Sequence, residues 1–152
     1  MIKKRYKIPF AVFMLLIRED KILIIKRQYT GWMDGYYSIP AGGLEMNESL
    51  LNAAIREVFE ETGITVKEEN CTLFHLMHCK IDKEIWTGAF FASKKFIGEP
   101  IVKEPHKHSE VAWITFQKIP ENIVPYVKQA IDAYQSMLLY SEFGWDKKIV
   151  LK

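Results

Sequence analysis

Three glutamates in the central part of the chain have a spacing that would bring their carboxylates together. A helix is predicted over residues 47–62. Glu57, Glu60 and Glu61 lie three and four positions apart, so they would be neighbours on its surface. Carboxylates this close repel one another, and Arg56, which can pair with Glu60, cannot neutralise three of them. Oxygen ligands on one helix face suit a hard cation such as Mg²⁺ or Mn²⁺, whereas a solvated acidic face is the alternative typical of glutamate-rich helices.

Apolar periodicity predicts the elements that must position these glutamates. Between Leu51 and Thr62, side chains recur at three- and four-residue steps and form one buried face. Gly63 follows where a left-handed helix end would fall, and the earlier Ala41-Gly42-Gly43 segment can bend tightly and approach a ligand closely. Strands before, between and after two helices indicate a mixed α/β domain. The predicted strands cover residues 8–17, 22–25, 36–39, 64–66, 71–81, 85–92 and 111–116, and a second helix covers residues 123–140.

The glutamates belong to a longer pattern, G-x5-E-x7-R-E-U-x-E-E-x-G-U, in which U is aliphatic. The nine matching residues are Gly42, Glu48, Arg56, Glu57, Val58, Glu60, Glu61, Gly63 and Ile64. This is the Nudix box, and chance alone gives roughly one such match in 10⁸ windows. The chain therefore resembles the Nudix hydrolases. The resemblance implies an α/β/α sandwich with a mixed β-sheet, formed by residues 1–152 as one domain, with the box at 42–64 and a C-terminal tail at 141–152.

The resemblance also implies roles for the residues of the box. Glu57 and Glu61 would ligate a divalent cation, Mg²⁺ or Mn²⁺, against a diphosphate, with Glu60 as a ligand or base. Arg56 would orient Glu60, and Glu48 would support the loop. Metal ions can neutralise developing phosphate charge and acidify an attacking water. The glycines have supporting roles in the same interpretation: Gly42 and Gly43 for substrate binding and Gly63 for the end of the helix.

Further candidate site residues lie outside the box. A fourth acid often comes from a later loop in this family, and Glu104 is the candidate, with Glu110 in reserve; a solvated loop carboxylate is the alternative for either. Arg27, at the end of the second strand, could bind phosphate or be a plain surface arginine. Trp113 and Phe116 could stack on a base, although aromatic residues on an alternating strand are more often part of the core.

Composition limits the class of protein. The 152 residues carry a net charge of +2, which argues against a dedicated nucleic-acid binder. The longest apolar stretch, residues 11–17, is too short to cross a bilayer, so no membrane partner is expected. The presence of two cysteines and the lack of a signal peptide predict a cytoplasmic protein. The expected oligomeric state is either a monomer or a homodimer. Cys71 and Cys79 flank two histidines, but about 26 Å of strand would separate them, so a zinc cluster is not expected.

Segments after the box bear on the substrate. No proline lies between residues 40 and 100 and no tyrosine between residues 37 and 126, so two family signatures, for ADP-ribose and for dinucleoside polyphosphates, are missing. Glu104-Pro105-x-Lys107, followed by Trp113, resembles the nucleoside triphosphate diphosphatases that act on oxidised nucleotides. The resemblance thus implies hydrolysis of a (d)NTP or oxidised (d)NTP to the monophosphate and pyrophosphate. A sugar-nucleotide or RNA 5′-end pyrophosphohydrolase, or a non-catalytic nucleotide-binding module, is the alternative.

Overall fold

The computed structural model describes residues 3–146 and 150–151, which form strands and two α-helices. The strands are β1 (Phe10–Arg18), β2 (Lys21–Arg27), β3 (Tyr37–Ser38), β4 (Ala41–Gly43), β5 (Cys71–Ile81), β6 (Glu84–Ser93), β7 (His108–Thr115), β8 (Tyr140–Phe143) and β9 (Val150–Leu151). The helices are α1 (Leu50–Thr62) and α2 (Pro125–Ser136), and short 3₁₀ turns cover Glu68–Asn70 and Phe116–Lys118. Neither α-helix in this part of the chain is long and apolar enough to span a membrane.

Strand β1 lies at the centre of an α/β/α sandwich. Its side chains alternate between the two faces of the sheet, as the pleat of a strand requires. Ala54 and Val58 of α1 close the core on one face, and Val127 and Ile131 of α2 close the core on the other. The predicted sandwich is therefore confirmed. The buried residues of β1 divide between the two cores as Val12, Met14 and Leu16 towards α1 and Phe13, Leu15 and Ile17 towards α2.

The sheet is mixed, because β1 pairs in parallel with β6 and antiparallel with β4. The strands follow the order β3-β2-β1-β6-β5-β8-β9, while β4 also pairs with β1 and β7 with β2. The register places Ala11 opposite Gly43, so the glycine-containing strand is held against the centre of the sheet. Pairing of β2 with β7 likewise places Arg27 opposite His108. Strand β4 and the end of β2 are therefore each held in place by pairing with a neighbouring strand.

Helix α1 has well-defined ends. It begins at Leu50 and not at residue 47, because Asn47 has a left-handed φ of 63° that a helix cannot contain. The hydroxyl of Ser49 accepts a hydrogen bond from the Asn52 N–H at 3.1 Å, which caps the first turn. Gly63 has a φ of 77°, so the predicted left-handed stop is confirmed.

The C-terminal part of the chain differs from its prediction. The second helix ends at Ser136 and not at residue 140, because Met137 adopts a left-handed φ of 55°. The chain then turns, and Tyr140 begins β8, which runs parallel to β5. The predicted tail over 141–152 therefore includes two strands of the sheet, and Trp145 donates a hydrogen bond to the carbonyl of His78 at 3.1 Å. Residues 147–149 and 152 of this tail lie outside the described residues.

Two other expectations concern the middle of the chain. The strand expected over residues 64–66 is reduced to one isolated bridge, between Thr65 and Ile97. Strand β5 has the predicted bounds, and its cysteines Cys71 and Cys79 are free thiols. No zinc-like cluster of cysteines and histidines occurs in the part of the chain that the structure describes.

Candidate metal and substrate site

Arg56 connects the carboxylates of the loop and of helix α1. Its Nε and Nη2 donate to the two carboxylate oxygens of Glu48 at 2.7 and 2.9 Å. Its Nη1 donates to Glu57 at 2.8 Å and to Glu60 at 3.2 Å, and Nη2 also donates to the carbonyl of Gly43 at 2.9 Å. These bonds from Arg56 hold the pKa of Glu48 at about 2. One guanidinium thus ties β4, the loop and α1 together.

Glu61 is stabilised by a different set of contacts. Its buried carboxylate accepts a hydrogen bond from the backbone N–H of Ala41 at 3.0 Å. Burial raises the pKa of Glu61 well above its usual range, and the negative charges of Glu57 and Glu104 raise it further. Because a nearby positive charge stabilises a carboxylate, a cation bound next to Glu61 would favour the charged form of this residue.

The carboxylate of Glu57 lies against the backbone of β4. A Cβ atom at Gly42 would overlap that carboxylate, so only glycine leaves room for Glu57 in this position. Burial raises the pKa of Glu57, while the hydrogen bond from Arg56 opposes this shift. The glycine of the Nudix box is thus explained by the close approach of a glutamate to the backbone.

The loop before β7 brings two further groups to Glu61. The backbone N–H groups of Lys107 and His108 both donate to the carbonyl of Glu104 at 2.9 Å, which forms a tight turn. The turn places one potential ligand atom each from Glu61, Glu104 and His108 within 4.8 Å of one another. The Nε2 atom of His108 lies 3.7 Å from the Glu61 carboxylate. We call Glu61, Glu104 and His108 the carboxylate cluster.

The carboxylate cluster has the chemistry of a divalent-cation site. Among the described residues, Glu104 Oε2 and His108 Nδ1 are buried without a hydrogen-bond partner. Burial lowers the pKa of His108 to about 4, so its imidazole is neutral at pH 7. Two carboxylates and a neutral imidazole could hold a divalent cation, and the carboxylates favour a hard ion.

Other predicted acids lie outside this cluster. The side chain of Glu60 is 44% exposed and contacts Arg56. Glu110, the reserve candidate, accepts a hydrogen bond from the hydroxyl of Tyr37 at 2.9 Å. Glu104 and not Glu110 is therefore the later-loop acid that the fold brings to Glu61.

Arg27 lies at the edge of the site. Its Nε donates to the carbonyl of Trp32 at 3.0 Å, and its guanidinium lies 5.0 Å from the centre of the Trp32 ring. Another guanidinium nitrogen donates to Thr30 at 3.0 Å. Arg27 thus orders the loop after β2, and phosphate binding by this residue stays a prediction.

The aromatic residues proposed for base stacking pack elsewhere. Trp113 stacks on Phe96, with ring centres 5.7 Å apart, and Phe116 stacks on Tyr134, with ring centres 6.0 Å apart. These contacts belong to the packing around the two cores. The core interpretation of Trp113 and Phe116 therefore fits their contacts better than base stacking does.

A cavity of about 250 Å³, lined largely by other aromatic residues and called here the aromatic cavity, lies against the part of β1 that pairs with β4. Ala11 at its wall pairs with Gly43, and Phe13 pairs with Ala41, so the cavity adjoins the strand that contacts Arg56 and Glu61. The cavity is lined by Ala11, Phe13, Trp32, Ile81, Glu84, Trp86 and Tyr126.

Sequence reasoning missed this cavity and His108. The cavity residues come from β1, the loop after β2, β5, β6 and α2, so no single stretch of sequence carries them. For His108 a local signal existed, because it follows Glu104 by four residues, the separation across one turn.

Comparison with known proteins gives the family. The NUDIX domain profile matches residues 7–134. Phosphatase NudJ of Escherichia coli K12 is 29% identical over 153 residues, which cover 92% of this chain and 95% of the relative. The crystal structure of a MutT NUDIX hydrolase from Burkholderia pseudomallei has a TM-score of 0.76 and 26% identity, covering 84% of this chain and 98% of that one. A NUDIX hydrolase from Nitrosomonas europaea has a TM-score of 0.74 and 25% identity, covering 86% and 90%. The chain therefore belongs to the NUDIX family and is a pyrophosphohydrolase acting on phosphoric anhydrides.

Proposed function

We propose that this protein is a Mg²⁺- or Mn²⁺-dependent hydrolase of nucleoside triphosphates, oxidised forms included, that releases the monophosphate and pyrophosphate. One observation carries the proposal: Glu61 of the carboxylate cluster is bonded to strand β4, and the aromatic cavity lies against the part of β1 that pairs with β4. A nucleotide has a charged phosphate chain and a flat apolar ring, so its binding needs both kinds of surface.

The roles proposed for the side chains follow from their positions. Glu61, Glu104 and Glu57 hold the cation, and Arg56 keeps Glu57 in place through the bond at 2.8 Å. Glu60, which is partly exposed, is a further ligand or the base. A bound divalent cation neutralises developing phosphate charge and acidifies an attacking water. Phosphoryl transfer depends mostly on positioning and charge stabilisation, which a rigid cluster supplies.

The aromatic cavity is the proposed site for the base. The rings of Trp32 and Tyr126 are nearly parallel, at 15°, with centres 5.9 Å apart. Trp86 meets Tyr126 edge to face at 5.0 Å and forms another wall. Trp32 is 41% exposed, and a base that stacks on its ring would gain about 1–3 kcal/mol.

A second candidate activity comes from the relatives. The Escherichia coli protein at 29% identity is named a phosphatase. A phosphatase acting on a triphosphate would release orthophosphate and leave the diphosphate. Analysis of the products therefore separates this activity from the proposed one.

A substrate panel tests the proposed function. Turnover of (d)NTPs, oxidised guanine nucleotides, ADP-ribose and a sugar nucleotide is measured with Mg²⁺, and kcat/KM should be highest for a triphosphate. Trp32→Ala should raise KM about tenfold if the base stacks in the cavity. Trp113→Phe, at a partly buried position packed against the core, is the control and should leave KM near that of the wild type. ADP-ribose ranking first would overturn the proposed substrate class.

A further inference from the structure

Lys107 is a cationic side chain that approaches the carboxylate cluster through one long contact. Its Nζ lies 3.4 Å from the Oε1 atom of Glu104, and its side chain is half exposed. Its backbone is fixed, because the N–H donates to the Glu104 carbonyl at 2.9 Å and the carbonyl accepts from the Gln28 N–H at 2.8 Å. The backbone of Lys107 is thus held next to the cluster while its ammonium group can move.

Arg56, in the same site, differs from Lys107 because several hydrogen bonds hold its charged group in place. Its guanidinium makes hydrogen bonds of 2.7–3.2 Å to three carboxylates and one carbonyl. A planar guanidinium held in this way is a fixed structural charge, whereas an ammonium group on a flexible stem can change partners.

We propose that Lys107 is a substrate-binding side chain that shares Glu104 with the divalent cation and moves from Glu104 to a phosphate oxygen of the substrate when the cation binds. The phosphate contact rests on the proposed function, because it needs a phosphorylated substrate at this site. Competition between Lys107 and the cation for Glu104 depends only on the protein and the metal.

The chemistry of both partners supports the exchange. A cation held by Glu61 and Glu104 takes up the same carboxylate charge that pairs with Lys107. The doubly charged ion gains more from that carboxylate than the ammonium group does. The released ammonium keeps three donors and a flexible four-carbon stem, which suit the dispersed charge of a phosphate chain.

The first test measures binding of Mn²⁺ alone, without nucleotide, by the electron paramagnetic resonance signal of the free ion. Lys107→Met should bind Mn²⁺ about threefold more tightly than the wild type, since a partly exposed competing charge is removed. Lys107→Arg keeps the charge and should stay within twofold of the wild type, about the scatter for an exposed pair. Lys103→Met is the matched control, because the Lys103 ammonium lies over the Phe59 ring at 3.8 Å and, in the described residues, only the backbone N–H of Lys103, which the substitution keeps, is seen to donate to the Glu61 carbonyl, at 3.3 Å.

The second test measures nucleoside triphosphate hydrolysis at saturating Mn²⁺. Lys107→Met should raise KM about tenfold or more through the lost charged hydrogen bond, with a smaller change in kcat. An unchanged KM would overturn the phosphate contact, and an unchanged Mn²⁺ affinity would overturn the sharing of Glu104. If the wild type hydrolyses no nucleotide, the proposed function fails, while the Mn²⁺ titration still decides whether Lys107 and the metal compete.

Discussion

The carboxylates of the site differ in the groups that neutralise them. Glu48, Glu57 and Glu60 all accept hydrogen bonds from Arg56. Glu61 instead accepts from a backbone N–H and lies beside the neutral imidazole of His108. A divalent cation would therefore neutralise the most unpaired charge at Glu61 and at Glu104, the other acid of the carboxylate cluster.

Single substitutions should distinguish the acids that take part in hydrolysis from a nearby acid that does not. Glu61→Gln and Glu104→Gln should each lower kcat by about 10²-fold or more, because charge stabilisation of the transition state is lost. Glu110→Gln is the matched control, since Glu110 accepts from Tyr37 outside the cluster, and its kcat should stay close to that of the wild type. Steady-state kinetics with Mg²⁺ measures all three variants. Equal losses in Glu104→Gln and Glu110→Gln would contradict the assignment of the loop acid.

The raised pKa of Glu61 should make the stability of the metal-free protein depend on pH. The folded state holds the proton of Glu61 more tightly than the unfolded chain does. This residue therefore favours folding at low pH, and the contribution is lost as the pH rises from the usual carboxyl range through the raised pKa. In EDTA, the Tm of the wild type should fall relative to that of Glu61→Gln as the pH rises above 4.5, the usual pKa of a glutamate carboxyl.

The Tm of the wild type must be compared with that of Glu61→Gln, because the titration of His108 changes stability with pH in the opposite direction. Burial lowers its pKa from 6.5 to about 4, so its contribution to stability is lost as the pH falls through that range. Burial, and not the charge of Glu61, is the main cause of this shift, so the contribution of His108 is retained in Glu61→Gln and largely cancels in the difference. A Tm difference that does not change with pH would show that Glu61 titrates alike in the folded and unfolded states.

At the scale of elements, strand β4 positions helix α1 through one close approach. Gly42→Ala should displace the flexible carboxylate of Glu57 and lower kcat about tenfold or more, with little loss of stability. A double-mutant cycle with Glu57→Gln provides the control. If Gly42→Ala acts through Glu57, it should have little further effect on kcat in the Glu57→Gln background. If the two substitutions lowered kcat independently, Gly42→Ala would not be acting through Glu57.

Strand β8 is attached to the body by a buried polar network. The ring nitrogens of His75 lie 2.6 Å from the Leu138 carbonyl and 2.7 Å from the Ser141 hydroxyl, which also accepts from Gln129 at 2.9 Å. Ser141→Ala should cost about 1–3 kcal/mol of unfolding free energy, because buried partners lose their hydrogen bonds. Ser136→Ala, at an exposed position, is the matched control for denaturant unfolding. Equal stabilities of the two variants would show that the network contributes little.

These elements also show what the sequence could predict. The extent of β5 and the left-handed stop at Gly63 follow from local patterns, and both are present in the structure. The end of α2 does not follow from such patterns, because apolar residues continue past Ser136 with helical spacing while Met137 turns the chain. Pairing of Tyr140 with β5 is a contact between distant segments, and no local signal marks it.

For the whole molecule, the site is assembled from segments that are far apart in the sequence. The glutamates of α1 were predictable as a group because one helix carries them. The carboxylate cluster also needs the turn at Glu104, which the pairing of β2 with β7 holds near Arg27. The aromatic cavity needs the packing of α2 on the sheet, since Tyr126 forms one of its walls. Long-range pairing and packing therefore decide the parts of the site that sequence patterns missed.

The products of nucleoside triphosphate hydrolysis test the central claim most directly. Phosphorus NMR follows the reaction of the wild type with a nucleoside triphosphate and Mg²⁺, and a parallel sample contains EDTA. We expect the monophosphate and pyrophosphate in equal amounts with Mg²⁺ and no turnover in EDTA, because the carboxylate cluster acts through a bound divalent cation. Orthophosphate released together with the diphosphate, or undiminished turnover in EDTA, would contradict this function.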